Sequence, residues 1–194
     1  MTARATMSDL ILDLRGMTDA GTADYTIGAV TYWTDDTLQD VLDKHRLEVV
    51  REPLVSQSEY DGAGTVVYKQ YLSRYGNFEA TSGGSAIFFV EDSIGTQSGT
   101  ANWSADYVQG KVTFTSDQKG TAYYLTGRSY NLNAAAAEVW RMKAGQVAKA
   151  FNFSTDNHKV DRGQLVQHYL TMANTYAGMA GATVTTIWRS DVNY

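Results

Sequence analysis

The sequence contains no cysteine at any of its 194 positions. This absence excludes disulfide frameworks, thiolate zinc sites and cysteine nucleophiles together. No apolar run approaches the roughly 20 residues that a membrane-spanning helix needs, and no apolar stretch near the N-terminus resembles a signal peptide. We therefore expect no contact with a membrane, and the sequence is compatible with the cytosol or with a particle assembled there.

Positive charge is also scarce. The chain has 16 Lys and Arg against 21 Asp and Glu, which gives a net charge of −5 and a pI of about 5.1. The basic residues are scattered and form no run. Because an acidic chain gains no affinity for nucleic acid from counterion release, sequence-specific DNA binding is not expected.

The residue patterns that catalysis requires are missing as well. The three histidines, His45, His158 and His168, stand at no metal-ligand spacing, and the chain has neither a GxSxG nor a Walker A motif. The sequence therefore predicts no enzyme activity, no catalytic residue, no metal site and no cofactor.

Helical periodicity is present towards both ends of the chain. Apolar residues recur at steps of three and four, and capping residues such as Ser8, Thr34 and Asn131 or Asn133 precede the stripes. The pattern predicts four helices, over about residues 8–16, 34–46, 131–151 and 161–179.

The middle of the chain has a different character. Short β-prone runs separated by glycine turns replace the helical pattern, at residues 47–50, 65–72, 86–91, 107–115 and 121–126. Several runs alternate apolar and polar residues, as Val112 and Phe114 do against Thr113 and Thr115. This spacing indicates antiparallel β structure.

The expected fold is α+β: a four-helix bundle core with an inserted antiparallel β region and an extended C-terminal tail. The two helical pairs are expected to pack together, since each pair alone has too little apolar surface to be stable. The predicted divisions are 1–46 for the N-terminal helices, 47–130 for the β insertion, 131–180 for the C-terminal helices and 181–194 for the tail.

The tail is the predicted binding segment. It is β-branched at residues 183–187 and rich in interface residue types, because Trp, Tyr and Arg are those most enriched at binding hot spots. The alternative is a last strand or a frayed end that packs on its own subunit. The candidate partner-binding residues are Ile187, Trp188, Arg189, Asp191 and Tyr194.

The second predicted helix concentrates negative charge. Its four aspartates suggest an acidic band that faces a channel, or else a solvated face that complements the positive end of the helix. For the two at the helix start, we favour the second interpretation. The four are Asp35, Asp36, Asp40 and Asp43.

Three stretches resemble the head–tail adaptor, or head completion, proteins of tailed bacteriophages. The first is WTDDTLQDVLDKHR at 33–46, which is similar to the second helix of that family. The second, at 106–138, leads a β hairpin into an alanine-rich helix (DYVQGKVTF, then YYLTGRSYNLNAAAAE). The third is FNFSTDNHKVDRGQL at 151–165, which is similar to the loop that joins the family's last two helices.

The resemblance implies a structural subunit of the virion neck, assembled in the host cytoplasm. Such subunits form a ring, usually of twelve copies, that docks beneath the portal protein and contacts a tail or stopper protein. The ring encloses a channel through which DNA leaves without specific binding, and the C-terminal tail commonly reaches towards the portal.

A β-rich module that binds a carbohydrate or a receptor on the virion is the alternative. Trp103 and several tyrosines decorate the predicted β region, and aromatic rings can stack on sugars. A sugar site requires exposed, coplanar aromatic rings beside carboxylates, whereas ordinary strand packing buries the rings.

Overall fold

The computed structural model describes residues 3–21, 26–27, 30–31, 33–80, 87–148, 153–155, 158–160 and 162–181. These residues divide into two compact units. The first contains the residues up to Arg46 and those from Tyr130 onward, and the second contains Leu47–Ser129.

The first unit holds four helices and two short hairpins. A single 3-10 turn at Ala5–Met7 leads into the first helix. The elements are α1 (Ser8–Thr18), β1 (Thr26–Ile27), β2 (Val30–Thr31), α2 (Asp35–Lys44), α3 (Leu132–Ala148), β10 (Phe153–Thr155), β11 (His158–Val160) and α4 (Arg162–Ala180).

The second unit is built from strands, with one 3-10 turn at Thr100–Asn102. The strands are β3 (Arg46–Pro53), β4 (Val55–Tyr60), β5 (Val66–Leu72), β6 (Phe89–Asp92), β7 (Trp103–Asp106), β8 (Lys111–Phe114) and β9 (Tyr123–Tyr130). They form two antiparallel sheets, one with the order β3-β9-β6 and one with the order β4-β5-β8-β7.

Helix α2 begins where the sequence predicts. The Thr34 hydroxyl accepts a hydrogen bond from the Thr37 backbone N–H at 3.3 Å, and Asp35 and Asp36 occupy the first turn. The hydroxyl satisfies one of the backbone donors that a helix start leaves without an intrahelical partner, and the two carboxylates complement the helix dipole.

The core of the first unit is formed by three helices and the segments beside them. Leu10, Ile11 and Leu14 of α1 meet Leu38, Val41 and Leu42 of α2, and α3 contributes the small side chains Ala135 and Ala136 with Val139. Alanine allows the backbones of neighbouring helices to approach closely. The core is completed by Trp33 and Tyr130, which flank α2 and α3.

The predicted four-helix bundle core is wrong. Helix α4 packs against α3, and Ala173 is the only α4 residue buried among those described. The five bulkiest fully buried side chains all lie outside the helices, in strands or connecting segments: Trp33, Tyr71, Tyr130, Phe78 and Phe88. The apolar stripe of α4 identified an amphipathic helix, but a stripe does not specify how much of it neighbouring elements cover.

Two strands of the β unit are absent from the predicted set. Strand β4 reads Val-Ser-Gln-Ser-Glu-Tyr and is too polar to stand out as a strand, yet it pairs antiparallel with β5 along its length. Strand β7 pairs antiparallel with β8, so that Trp103 lies opposite Phe114. In the first unit, β10 and β11 form a hairpin in a stretch predicted to be loop.

Strand β3 contains a backbone irregularity at Arg51, whose φ of 49° lies in the left-handed region. Val49 and Glu52, three positions apart, are both buried, as expected when one bulged residue shifts the alternation of a strand. The Arg51 guanidinium lies 5.0 Å from the centre of the Tyr124 ring and 2.7 Å from the Glu91 carboxylate. Arg51 therefore links all three strands of its sheet, since Tyr124 is on β9 and Glu91 on β6.

Aromatic residues form much of the core of the β unit. Tyr71 contacts the rings of Phe114 and Tyr123 edge-on, each at a centroid distance of 5.4 Å, and Phe88 contacts Trp103 at 5.9 Å. Burial raises the pKa of Tyr71 to about 12, and its hydroxyl donates to the Thr121 carbonyl. Edge-on rings in a buried cluster match strand packing and differ from the exposed coplanar rings of a sugar site.

Candidate interaction surface

The predicted partner-binding residues, Ile187, Trp188, Arg189, Asp191 and Tyr194, lie outside the described residues. The structure describes the chain to Gly181, immediately before this segment. The surface that can be described is therefore helix α4, which leads into it, together with the contacts that fix α4 in place.

Asn131 ties the start of α3 to the end of α4. Its Oδ1 accepts a hydrogen bond from the Ala134 backbone N–H at 3.0 Å, and its Nδ2 donates to the Ala180 carbonyl at 3.0 Å. One side chain thus caps the positive end of one helix and the negative end of the next. The sequence predicted the first role, but no sequence pattern indicated the second.

The outer face of α4 carries no Asp, Glu, Lys or Arg after Arg162. Residues 163–181 include no Asp, Glu, Lys or Arg, whereas α1, α2 and α3 each carry at least three. Leu165, Leu170 and Met179 are 40%, 38% and 50% exposed. Because a helix turns about 100° per residue, Leu170 lies on the other flank of the α4 stripe from Leu165 and Met179, and the outer side between the flanks carries uncharged polar residues and glycine. Depletion of charge is typical of a surface that another protein covers.

Two threonine hydroxyls on this face are satisfied within the helix. Thr171 Oγ1 donates to the Gln167 carbonyl at 2.8 Å, and Thr175 Oγ1 donates to the Thr171 carbonyl at 3.0 Å. Each hydroxyl donates its hydrogen bond to a carbonyl in the preceding turn of the same helix. This bonding reduces the polarity that α4 presents outwards.

Helix α3 holds α4 through aromatic contacts. The Trp140 ring of α3 lies 5.3 Å from the Tyr169 ring and 6.3 Å from the His168 ring, measured between centroids. On its other side, the Trp140 indole N–H donates to the Met17 carbonyl of α1 at 3.3 Å. Trp140 therefore connects α4 to α1 across α3.

A buried lysine beside Trp140 closes the end of α1. Lys143 Nζ donates to the carbonyls of Thr18 and Asp19 at 2.7 Å each, and it lies 5.0 Å from the Trp140 ring centre and 5.8 Å from that of Trp33. A cation at a helix C-terminus complements both the last carbonyls and the helix dipole. No sequence pattern indicates this contact.

Ion pairs attach α2 to the remainder of its unit. Asp43 accepts from Arg4 Nη1 and Nη2 at 3.0 and 2.7 Å, and Tyr130 donates its hydroxyl to the same carboxylate at 3.4 Å. Burial of Asp43 opposes ionisation, but the hydrogen bonds and charge of Arg4 outweigh it, so the pKa of Asp43 lies below its usual value.

Glu138 of α3 receives two donors from the end of α2. Lys44 Nζ lies 2.6 Å and His45 Nε2 lies 2.8 Å from its carboxylate oxygens. Burial again opposes ionisation, and the two donors more than compensate for it, so the pKa of Glu138 is lowered. Lys44 therefore ties the end of α2 to a neighbouring helix.

These pairs also bear on the predicted acidic band. Asp35 accepts from Arg15 at 2.6 Å and Asp43 accepts from Arg4, so that two of the four aspartates of α2 are neutralised within their own unit. Asp40 is exposed on the same helix. The net negative charge that α2 presents to solvent is smaller than its sequence suggests.

The β unit carries a repeated turn. The pentapeptides DGAGT, DSIGT and DQKGT follow β4, β6 and β8 at residues 61–65, 92–96 and 117–121. In each, the Asp Oδ1 accepts from the N–H two residues later, and the fourth residue is a glycine with positive φ. The sequence contained this signal, an Asp-x-x-Gly-Thr repeat, but the prediction of glycine turns did not use it.

Strand register places the three turns at one end of the β unit. Tyr123, the first residue of β9, pairs with Asp92 of the second turn, and its hydroxyl donates to Gln118 of the third at 2.7 Å. Asp117 of the third turn accepts from the Tyr68 N–H at 2.8 Å, near the start of β5 and the first turn. The chain enters and leaves the unit at the opposite end, where β3 begins and β9 ends.

The described residues offer no sign of metal chemistry. Among them, no group of three or more His, Asp or Glu side chains is arranged to hold a metal ion. The aspartates of the turns are committed to backbone N–H groups, which leaves their carboxylates in a structural role. No described helix has the length and hydropathy to cross a membrane.

Comparisons with protein-family models, with curated proteins and with solved structures found no match. The family resemblance of the three sequence stretches therefore remains a prediction.

Proposed function

We propose that this protein is a structural subunit of a phage neck. In this proposal, identical copies form a ring, of twelve in the family that the sequence resembles, between the portal protein and a tail or stopper protein. DNA passes through the enclosed channel without specific binding, and the subunit acts mechanically rather than as an enzyme.

The observation that carries the proposal is the outer face of α4. Residues 163–181 are nineteen consecutive residues without Asp, Glu, Lys or Arg, and Leu165, Leu170 and Met179 are partly exposed beside the buried stripe. Such a surface suits contact with protein better than contact with water. A ring requires that each copy bury one surface against a different surface of its neighbour. The α4 face is the best-supported candidate for one side of that contact.

The rigidity of this face also supports the proposal. Asn131 ties the end of α4 to the start of α3, and Trp140 holds the centre of α4 through aromatic contacts. A surface that is ordered before binding loses less conformational entropy when a partner covers it. Repetition of such a contact around a ring gives a durable joint from individually modest interfaces.

The overall charge is consistent with a DNA channel. At a net charge of −5 the protein repels phosphate on average, which favours passage of DNA over adhesion. We therefore expect DNA affinity to be weak at every salt concentration.

The experiment that tests the proposal measures assembly by native mass spectrometry and negative-stain electron microscopy, with and without purified portal protein. Wild-type protein is expected to form closed rings, alone or on the portal. Leu170→Glu should prevent them, because burial of an unpaired carboxylate at the contact weakens binding by at least about 100-fold.

Ile94→Glu supplies the matched control, since Ile94 is exposed on a turn of the β unit and lies far from α4 along the chain. This variant should assemble like the wild type. Far-UV circular dichroism must be unchanged in both variants. A wild-type protein that stays monomeric at about 100 µM and does not bind the portal contradicts the proposal.

A further inference from the structure

Helix α4 has two partly exposed flanks, one on each side of the stripe that packs against α3. Because a helix turns about 100° per residue, positions seven residues apart lie almost in line. The Leu165 seam consists of Leu165, Met172 and Met179, and the Leu170 seam consists of Gly163, Leu170 and Ala177. The two seams lie on nearly opposite sides of the helix, and a spacing of seven residues is typical of helices that pack side by side.

The two seams are complementary in size. Leucine and methionine side chains project from the first, whereas glycine and alanine leave space beside Leu170 in the second. A closed ring needs a contact of this kind, between two different surfaces of identical copies, and a two-fold pair would instead place one seam against itself. Neither seam contains Asp, Glu, Lys or Arg, so no charged group loses water when the seams meet.

Between the seams, the outer side of α4 is an arc of exposed polar residues, again without Asp, Glu, Lys or Arg. The members of this polar arc are Gln164, Gln167, His168, Thr171, Asn174 and Thr175. Both threonine hydroxyls donate to carbonyls of their own helix. The arc therefore offers a DNA phosphate neither the lysine or arginine contacts that release counterions nor a free threonine donor.

We propose that in the ring α4 of each copy packs its Leu165 seam against the Leu170 seam of the next copy, and that the polar arc lines the DNA channel. This inference rests on the proposed function. The stripe held by α3 then faces away from the axis, because the seams must point sideways to reach both neighbours. DNA meets a wall that gives its phosphates little to bind, which favours passage.

The dimensions allow such a channel. Packed helices lie about 8–10 Å apart, so about twelve α4 helices around an axis leave an opening of roughly 25 Å, which admits a DNA duplex. Two α4 helices in contact along their 19 residues bury roughly 600 Å² in total, about half of what a stable specific interface needs. Isolated pairs should therefore dissociate, and closure of the ring, which gives every copy two such contacts, makes the joint durable.

Engineered disulfides test the contact. The natural chain has no cysteine, so every cross-link is an engineered one. In the double variant Leu170→Cys, Met172→Cys the two thiols lie on opposite sides of one helix and cannot bridge within a copy. They differ by only about 3 Å in height along the helix, so each should reach the other thiol of a neighbour. Mild oxidation of ring preparations should give a ladder of covalent oligomers in non-reducing electrophoresis, which ends at the ring size seen by electron microscopy.

The matched control is Leu170→Cys, Thr171→Cys, since Thr171 lies at the centre of the polar arc. It should give at most about a tenth of the cross-linked oligomers. The pair Ala177→Cys, Met179→Cys repeats the test one seam position further along α4. Absence of a ladder from both seam pairs, in rings with wild-type circular dichroism, overturns the proposal. Covalent dimers of Leu170→Cys alone overturn it as well, because they place the Leu170 seam against itself.

Thiol labelling tests which side of α4 faces the channel. In rings, the single variant Thr171→Cys should react with a small maleimide as fast as in monomers. A maleimide coupled to a globular protein wider than the channel should react at least about tenfold more slowly. Ile94→Cys, exposed on the β unit, should react with both reagents. Equal reaction of Thr171→Cys with both reagents contradicts the channel position.

Electron microscopy of the same samples separates this inference from the proposed function. Rings that give no ladder refute the α4 contact alone. A ladder from rings that do not bind the portal refutes the neck role and leaves the α4 contact in place. Protein that forms neither rings nor a ladder refutes both.

Discussion

Lys143 gives the sharpest test of how the helical unit is held together. Its ammonium makes two hydrogen bonds of 2.7 Å to carbonyls at the end of α1, and the residue is buried. A hydrogen bond that involves a charged group contributes about 1.5–3 kcal/mol, but methionine in its place avoids the cost of burying a cation. We expect Lys143→Met to lower the free energy of unfolding by about 2–3 kcal/mol, because the carbonyls of Thr18 and Asp19 lose these donors.

The assay is urea unfolding followed by circular dichroism at 222 nm, which reports the helices and hence the first unit. The corresponding fall in melting temperature is about 4–12 °C for a chain of this size. Arg141→Met is the matched control, since Arg141 is exposed on the same helix. Its effect should stay within about 0.5 kcal/mol. If Lys143→Met is as harmless as the control, the two hydrogen bonds do not stabilise the unit and the reasoning fails.

Three further perturbations test other contacts. Asn131→Asp retains the acceptor that caps α3 but cannot donate to the end of α4. It should lower the free energy of unfolding in urea at pH 7 by about 1–2 kcal/mol. An unchanged unfolding midpoint would refute the double cap. Gly110→Ala should destabilise the β unit by more than about 2 kcal/mol, because φ at this residue is 65° and an added Cβ would overlap a backbone carbonyl. Gly62 has open space around it, so Gly62→Ala should be nearly neutral. Unfolding of both variants is followed by tryptophan fluorescence. Because the pKa values of Asp43 and Glu138 are lowered in the folded protein, both carboxylates contribute stability that is present above their unfolded pKa values and is lost as pH falls below about 4. The double variant Asp43→Asn, Glu138→Gln should therefore show a flatter dependence of the unfolding free energy on pH in this range.

The local features of the helices could be predicted from the sequence. Thr34 before two aspartates and Asn131 before an alanine run are short-range signals, because a capping side chain bonds to a backbone group only two or three residues away. The Asp-x-x-Gly-Thr turns are equally local, and their repetition is visible in the sequence. The polar strand β4 was not predicted, because its pairing with β5 comes from hydrogen bonds that do not depend on apolar side chains.

The sequence by itself determined the positions of the helices, the change to β structure after residue 46 and the absence of Asp, Glu, Lys and Arg from residues 163–181, since all three follow from residue type and spacing. Only the tertiary structure decided how much of α4 is covered, and it replaced the expected four-helix core by a three-helix core and a separate aromatic β core. It also decided the partners of Lys143, Asn131 and Glu138. These contacts join residues 49 to 125 positions apart, and periodicity records which face of an element is apolar but not which distant element meets it.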